Sequence, residues 1–261
     1  MARMTGIRAF AAAMAVAAPL GMASKAEAAP INVGLELILL IDVSGSVDAG
    51  EYALQKQGYV QAFQSAAVQN AILGSQLGSI AVTYIEWSGA AQQSVEVPWT
   101  IIDSAASANA FAAAINAATR NYSGLTAPGS AINFAYPQFA TNKIGLDDII
   151  GLRQVLDISG DGEQNDGANT AAARNAALAA GVDAINGLAI GGAGLVAWYD
   201  ANIKGGATGF VLQANDFGDF AAAIELKLIK EITGVPEPAT LALFGFGLAA
   251  LGMAARRRKA A

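Results

Sequence analysis

The chain contains no cysteine and no histidine. Without thiols it can form no disulfide framework, no thiolate-zinc site, no thiol nucleophile and no lipid-modified cysteine anchor. Without imidazole, Ser-His-Asp catalysis and histidine-ligated metals are excluded as well. Any metal must therefore be held by oxygen atoms, which favours Mg2+, Mn2+ or Ca2+. Basic charge is also scarce. Seven of the 15 Lys and Arg residues (Arg3, Arg8, Lys25, Arg256, Arg257, Arg258, Lys259) and two of the 21 acidic ones (Glu27, Glu237) lie near the ends. The intervening chain carries 8 basic and 19 acidic groups, a net charge of −11. A polyanion finds little to attract it there, so nucleic acid is a poor partner and divalent cations are better ones.

Both ends read as processing signals. Residues 1–29 open with Arg3 and Arg8, run apolar from Ile7 to Met22, and close on Ala26-Glu27-Ala28-Ala29-Pro30. That is the small-x-small pattern of a cleaved secretory signal peptide, with an uncleaved anchor as the alternative. At the other end, residues 235–261 begin Val235-Pro236-Glu237-Pro238, continue apolar from Ala239 to Ala255, and finish on Arg256-Arg257-Arg258-Lys259. The 17 apolar residues would span about 26 Å as a helix, just short of a hydrocarbon core, with the basic cluster left in the cytoplasm. This order resembles the PEP-CTERM sorting signal of Gram-negative bacteria, whose exosortase partners are membrane enzymes that process the tail. A plain single-pass anchor is the alternative, and either places residues 30–234 outside the inner membrane as one domain of about 200 residues.

Within that domain the pattern alternates between strand and helix. Leu35 to Ile41 is a continuous apolar run, as in a strand buried on both faces. A helix carrying Tyr52, Tyr59, Val60 and Phe63 follows, then a second strand from Ser79 to Trp87. The link to Ser94–Trp99 is too short for a crossover, which predicts an antiparallel pair, and Pro98 suits an edge strand. Asp103 or Ser104 can cap an alanine-rich helix running to Ala118, and Pro128 opens another that ends near Phe139. Further strands are expected at Val155–Ile158, Val182–Ile190 and Phe210–Gln213, and helices at Thr170–Ala180, Val196–Ile203 and Phe217–Ile232. The expectation is a doubly wound α/β fold: a mostly parallel six-stranded sheet with one antiparallel edge strand and helices on both faces.

Asp42-Val43-Ser44-Gly45-Ser46 falls where the first buried strand ends. Ligands of doubly wound sheets bind beyond the carboxyl ends of the strands, where the strand order reverses. Asp42, Ser44 and Ser46 can converge if the loop curls, which Gly45 permits, and together they form a hard oxygen set. Alternatively, Asp42 and Ser46 merely cap the next helix. A second acidic strand end, Val155-Leu156-Asp157-Ile158-Ser159-Gly160-Asp161-Gly162, favours the first reading. If the two strands are neighbours, Asp161 comes within about 4.8 Å of Asp42, and the two carboxylates repel by about 3 to 4 kcal/mol. A bound cation relieves that repulsion. Asp157 is expected to bond a nearby backbone group, Glu163 and Asp166 to lie in a solvated loop, and Trp87 and Trp99 to serve packing.

These residues resemble the metal-ion-dependent adhesion site of von Willebrand factor A domains. The likeness rests on Asp42-x-Ser44-x-Ser46, on Thr126 within Ser123-Gly124-Leu125-Thr126-Ala127-Pro128-Gly129-Ser130, and on Asp161-Gly162 after a later strand. It covers Asn32 to Thr233, with Ser123 the alternative to Thr126. The runs Tyr84–Gly89, Val97–Thr100 and Ile158–Gly162 are more closely similar to a bacterial subgroup carrying a domain-of-unknown-function label, number 1194. The family implies that Ser44 and Ser46 ligate directly, Thr126 directly or through water, and Asp42 and Asp161 often through water. It also implies an open position for a carboxylate of a protein partner. Ser-Gly-Asp-Gly stands here where Thr-Asp-Gly is common, so Gly160 can shift Asp161. The expected function is a non-enzymatic, metal-dependent binding or adhesion module at the cell surface or in extracellular matrix. A phosphatase-like hydrolase is the alternative, disfavoured because the first motif lacks a second aspartate and no lysine is expected near either motif. The absence of two matched lobes argues against a solute-binding protein.

Overall fold

The computed structural model describes residues 29–234, so the expected leader up to Ala28 and the expected tail from Val235 lie outside the described residues. Nine strands and seven α-helices are present among them. The main sheet contains β2 (Leu35–Asp42), β3 (Ile80–Trp87), β4 (Gln93–Ile102), β7 (Gln154–Gly160), β8 (Ala184–Ile190) and β9 (Val211–Ala214). Its order is β4-β3-β2-β7-β8-β9. Every pairing is parallel except β3 with the edge strand β4. The doubly wound sheet with one antiparallel edge is therefore as the sequence predicts.

The apolar run of β2 is explained by two cores. Leu35, Leu37, Leu39 and Ile41 face one, against α1 (Ala49–Gln64), α2 (Ala66–Leu73), α3 (Ala105–Ala117) and α7 (Phe220–Thr233). Ile38 and Leu40 face the other, against α4 (Pro128–Ala135), α5 (Thr170–Ala179) and α6 (Ala193–Asn202). With both faces covered by helices, the period-2 alternation of a half-exposed strand disappears. Each fully buried Leu or Ile in these layers contributes about 1.5 to 3 kcal/mol.

Three features escape the sequence pattern. A small second sheet, ordered β1-β6-β5, pairs β1 (Ile31–Val33) with β6 (Asp147–Gly151) and joins β6 to β5 (Lys143–Ile144) as a hairpin. Buried Glu36 ties it to β2 by accepting from Asn142 Nδ2 at 2.6 Å and from the backbone N–H of Gly151. Secondly, Ser65 ends α1 and caps α2 at once, its hydroxyl accepting from Val68 N–H at 3.2 Å. The third is electrostatic. Asp157 does not bond a backbone group; its carboxylate lies 2.6 Å from Lys227 Nζ, and the same ammonium lies 2.6 Å from Glu231 on the next turn of α7. All three side chains are fully buried, so the ionic group clamps α7 to the middle of the sheet.

Candidate metal centre

The carboxyl ends of β2 and β7 lie side by side, with Ile41 paired to Ser159. Strand order runs outward in opposite directions from this pair, so the crevice above it is the switch point of the sheet. The alternative, that Asp42 and Ser46 merely cap the following helix, does not hold. The N-cap of α1 is Asp48, whose side chain accepts from Glu51 N–H while Glu51 accepts from Asp48 N–H. Asp42 and Ser46 are left for other work.

Asp42 accepts the backbone N–H of Ser44 at 2.7 Å, which turns the loop back over the strand end. Gly45 serves this by closeness rather than by unusual backbone angles. Its N–H donates to Gly124 O at 2.7 Å, and a Cβ there would lie 3.3 Å from that same carbonyl. The first loop is thereby clasped to the loop carrying Thr126. Thr126 is itself held by Asn165, whose side chain accepts its N–H at 2.8 Å and whose backbone N–H donates to its carbonyl at 3.0 Å.

The hydroxyls then form a continuous path. Thr126 Oγ1 donates to Ser44 Oγ at 3.3 Å, Ser44 Oγ lies 3.1 Å from Ser46 Oγ, and Ser46 Oγ donates to Asp161 Oδ1 at 2.7 Å. Each hydroxyl has one proton, so with the first and last bonds fixed, Ser44 donates to Ser46. Asp42, Ser44 and Thr126 are buried, whereas Ser46 is exposed, which leaves one side of the cluster open to water. All five residues expected for the site thus meet at one rim. The carbonyl of Ser123 lies 3.4 Å from the position of a Cβ on Gly45.

Burial sets the electrostatics, more than mutual repulsion does. Asp42 is pushed up to about 7, first by desolvation and then, after its bonds to Ser44, by the charge of Asp161. Burial raises Asp161 as well, and its bond from Ser46 opposes that rise. Asp42 Oδ2 is buried with no hydrogen-bond partner among the described residues. Neither carboxylate forms an ion pair there. Arg120, whose charge acts to lower Asp42, donates to the carbonyls of Val43 and Ser44 at 2.9 and 2.8 Å and so braces the loop. A hard cation fits this donor set: a buried carboxylate oxygen lacks a partner, and the hydroxyls around it are oriented and open on one side.

Sequence reasoning passed over several supporting residues. Asp166 is not merely solvated: its carboxylate accepts Ala90 N–H at 2.8 Å and ties the β3–β4 turn to the acidic loop. Ser88 accepts Gly124 N–H at 2.7 Å. Tyr199, on α6, is fully buried with an unpartnered hydroxyl. A Cβ on Gly160 would lie 2.7 Å from that hydroxyl and 2.7 Å from Asp42 Oδ2, so glycine here leaves a polar hollow between the two. Only the polar run Asn165-Asp166-Gly167 carried a signal, that of a turn; nothing in the sequence marks Tyr199. Lys227 corrects the expectation that no lysine is near either motif, but it is spent on Asp157 and Glu231. No group of three or more carboxylates stands together among the described residues, so the site depends on hydroxyls.

The fold is that of von Willebrand factor A-type domains, as distantly similar solved structures show. Proximal thread matrix protein 1 from the mussel byssus, in a structure with a zinc-occupied MIDAS motif, superposes with a TM-score of 0.53 at 16% identity, over 77% of this chain and 49% of that one. The pilus adhesin SpaC from Lactobacillus rhamnosus GG gives 0.52 at 12% identity, over 77% of this chain and 31% of the adhesin. A von Willebrand factor type A structure from Catenulispora acidiphila gives 0.51 at 17% identity, over 77% and 43%. The chain thus spans about half or less of the length of each. Residues 32–236 match the model of the family described as Protein of unknown function (DUF1194), and the chain belongs to that family. Residues 234–259 match the PEP-CTERM protein-sorting motif, which implies export to a bacterial surface or beyond. No curated protein matches.

Proposed function

We propose that residues 30–234 form an exported, metal-dependent protein-binding module that grips an acidic group of its partner through a divalent ion. The observation that carries this reading is the buried, unpartnered Asp42 Oδ2 beside a chain of hydroxyls that ends on Asp161. Ser44, Ser46 and Thr126 would supply neutral oxygens, and Asp42 and Asp161 the negative charge. Such an ion offsets the desolvation of Asp42 and, on the exposed side at Ser46, offers a position to an incoming carboxylate. Two carboxylates and three hydroxyls form a hard oxygen set that suits Mg2+, with Mn2+ or Ca2+ as alternatives. The mussel protein with zinc in its own motif is a distant precedent for occupancy.

The partner chemistry is that of an acidic side chain, whose carboxylate would complete the ion's coordination on the open side at Ser46. A hydrolase is disfavoured because the buried lysine is paired on both sides and no histidine exists. Removal of residues 1–29 on export and processing of 235–261 by an exosortase-type enzyme complete the reading, with the inner membrane a transient partner of the tail. The test is capture from the native cell envelope in Mg2+ against EDTA. Wild type should retain a partner only with the ion, and Ser44→Ala should retain none. Retention by both proteins in EDTA would refute the proposal, as would turnover of a generic phosphate ester that Ser44→Ala abolishes.

A further inference from the structure

The amino ends of the strands form the edge opposite the metal rim, and three observations coincide there. Large apolar side chains concentrate at this end: Leu73 is 46% exposed, Leu77 44%, Ile150 50% and Leu152 51%. Leu152 lines a hollow of about 470 Å³ together with Gly34, Gly74, Ser75, Arg153 and Thr233, among others, and Leu73 directly precedes the lining residue Gly74. Leu77 joins the group through its backbone nitrogen, 3.7 Å from the position of a Cβ on Gly34. The second observation is charge. The lining of this hollow contains no carboxylate and one arginine, Arg153, although residues 30–234 carry a net −11. The third is the exit of the chain: α7 ends at Thr233 on this hollow, and the sorting motif begins at residue 234.

Four residues, Val235 to Pro238, separate Gly234 from the apolar stretch that starts at Ala239. Five Cα steps reach at most about 18 Å when fully extended, while the headgroup layer on each side of a bilayer is about 5 to 8 Å thick. The tether therefore holds this edge near the headgroups, with at most about 13 Å to spare. We propose that, while the tail is attached, this edge docks on the lipid surface, with Leu73, Leu77 and Leu152 in the headgroup layer. Arg153, which donates to the carbonyls of Glu231 and Ile232 at 2.8 and 3.0 Å at the end of α7, places a positive charge at this edge that suits anionic lipid. The eight residues of β2 then lift the metal rim about 26 Å from the bilayer, pointing outward to a partner. The inference rests on reading the tail as a membrane segment and is independent of whether the rim holds metal.

The absence of native cysteine allows a direct test. The full chain carrying Leu77→Cys, Leu152→Cys or, at the opposite rim, Leu125→Cys is labelled with a polarity-sensitive fluorophore. Each is reconstituted into phosphatidylethanolamine–phosphatidylglycerol vesicles containing headgroup-level nitroxide lipid. Docking requires several-fold stronger quenching and bluer emission at 77 and 152 than at 125. Equal quenching at all three positions in protein that floats with the vesicles overturns the docking alone. Labels at 77 and 152 that are shielded from water yet unquenched point instead to the folded-back tail or a second copy, and overturn it too. Failure to float with vesicles overturns the docking together with the membrane reading of the tail.

Discussion

Gly160→Ala adds a single methyl group at the tightest point of the rim. The new carbon would lie 2.7 Å from Asp42 Oδ2, 2.7 Å from Tyr199 Oη and 2.9 Å from Asp42 Cβ. Ordinary carbon–carbon contacts begin near 3.5 Å, so one neighbour must shift. Both are fully buried, and Asp42 is further held by Ser44 N–H. Overpacking of this kind costs about 1 to 3 kcal/mol, which for a domain of this size lowers the melting temperature of the metal-free protein by about 2 to 12 °C. Displacing a carboxylate that positions the ligands should weaken divalent-ion binding by about tenfold or more. Calorimetric titration with Mn2+ and urea unfolding in EDTA read the two effects separately. Tyr199→Phe removes one of the obstructing atoms, so the double variant should recover part of both losses, with a coupling of about 0.5 to 1.5 kcal/mol. Wild-type affinity in Gly160→Ala, or strict additivity in the double variant, would show that the hollow between Asp42 and Tyr199 has no bearing on the site.

Four other outcomes follow from the same structure. Lys227→Met leaves two buried carboxylates without their cation and should cost about 3 to 5 kcal/mol in urea unfolding at neutral pH. Glu231 is already raised to about 8, chiefly by burial and by Asp157, so Glu231→Gln should cost far less than Asp157→Asn at neutral pH. Glu86, buried on β3 and bonded by Tyr52 at 2.7 Å, is raised from 4.5 to about 7, first by desolvation. Below 4.5 it is protonated in both states; as pH rises to 7 only the unfolded chain releases the proton. Its contribution is therefore lost across that window, about 3 kcal/mol at most, and Glu86→Gln should flatten the pH–stability curve there. Thr126→Val keeps the volume and removes the hydroxyl that donates to Ser44; Mn2+ titration should show weaker binding with little change in fold.

The main sheet was legible because its signals are strong and local. The run at β2 could only be a strand covered on both sides, and the short link between β3 and β4 could only be antiparallel. The site was legible for a related reason: loops at the ends of adjacent parallel strands must share one rim, so Asp42 and Asp161 converge once β2 and β7 pair. What stayed hidden depends on distance along the chain. Strands of two and three residues, β5 and β1, are too short for any periodicity. The break between α1 and α2 falls at a serine, with neither glycine nor proline to mark it. Lys227 and Glu231 occupy an ordinary i,i+4 spacing that reads as a solvated pair, and only the approach of Asp157 makes it a core element. Asp48 and Glu51 were the true cap of α1, a capping box six residues past the expected start of the site.

Thermal unfolding of the exported domain with Mg2+, with Mn2+ and with EDTA tests the central claim most directly, beside Ser44→Ala and Asp161→Ala. At an ion concentration about a hundredfold above the dissociation constant, wild type should gain about 2.7 kcal/mol, and neither variant should respond to metal. Equal melting of wild type in Mg2+, Mn2+ and EDTA, or metal stabilisation that survives both substitutions, would contradict a cation held at this rim.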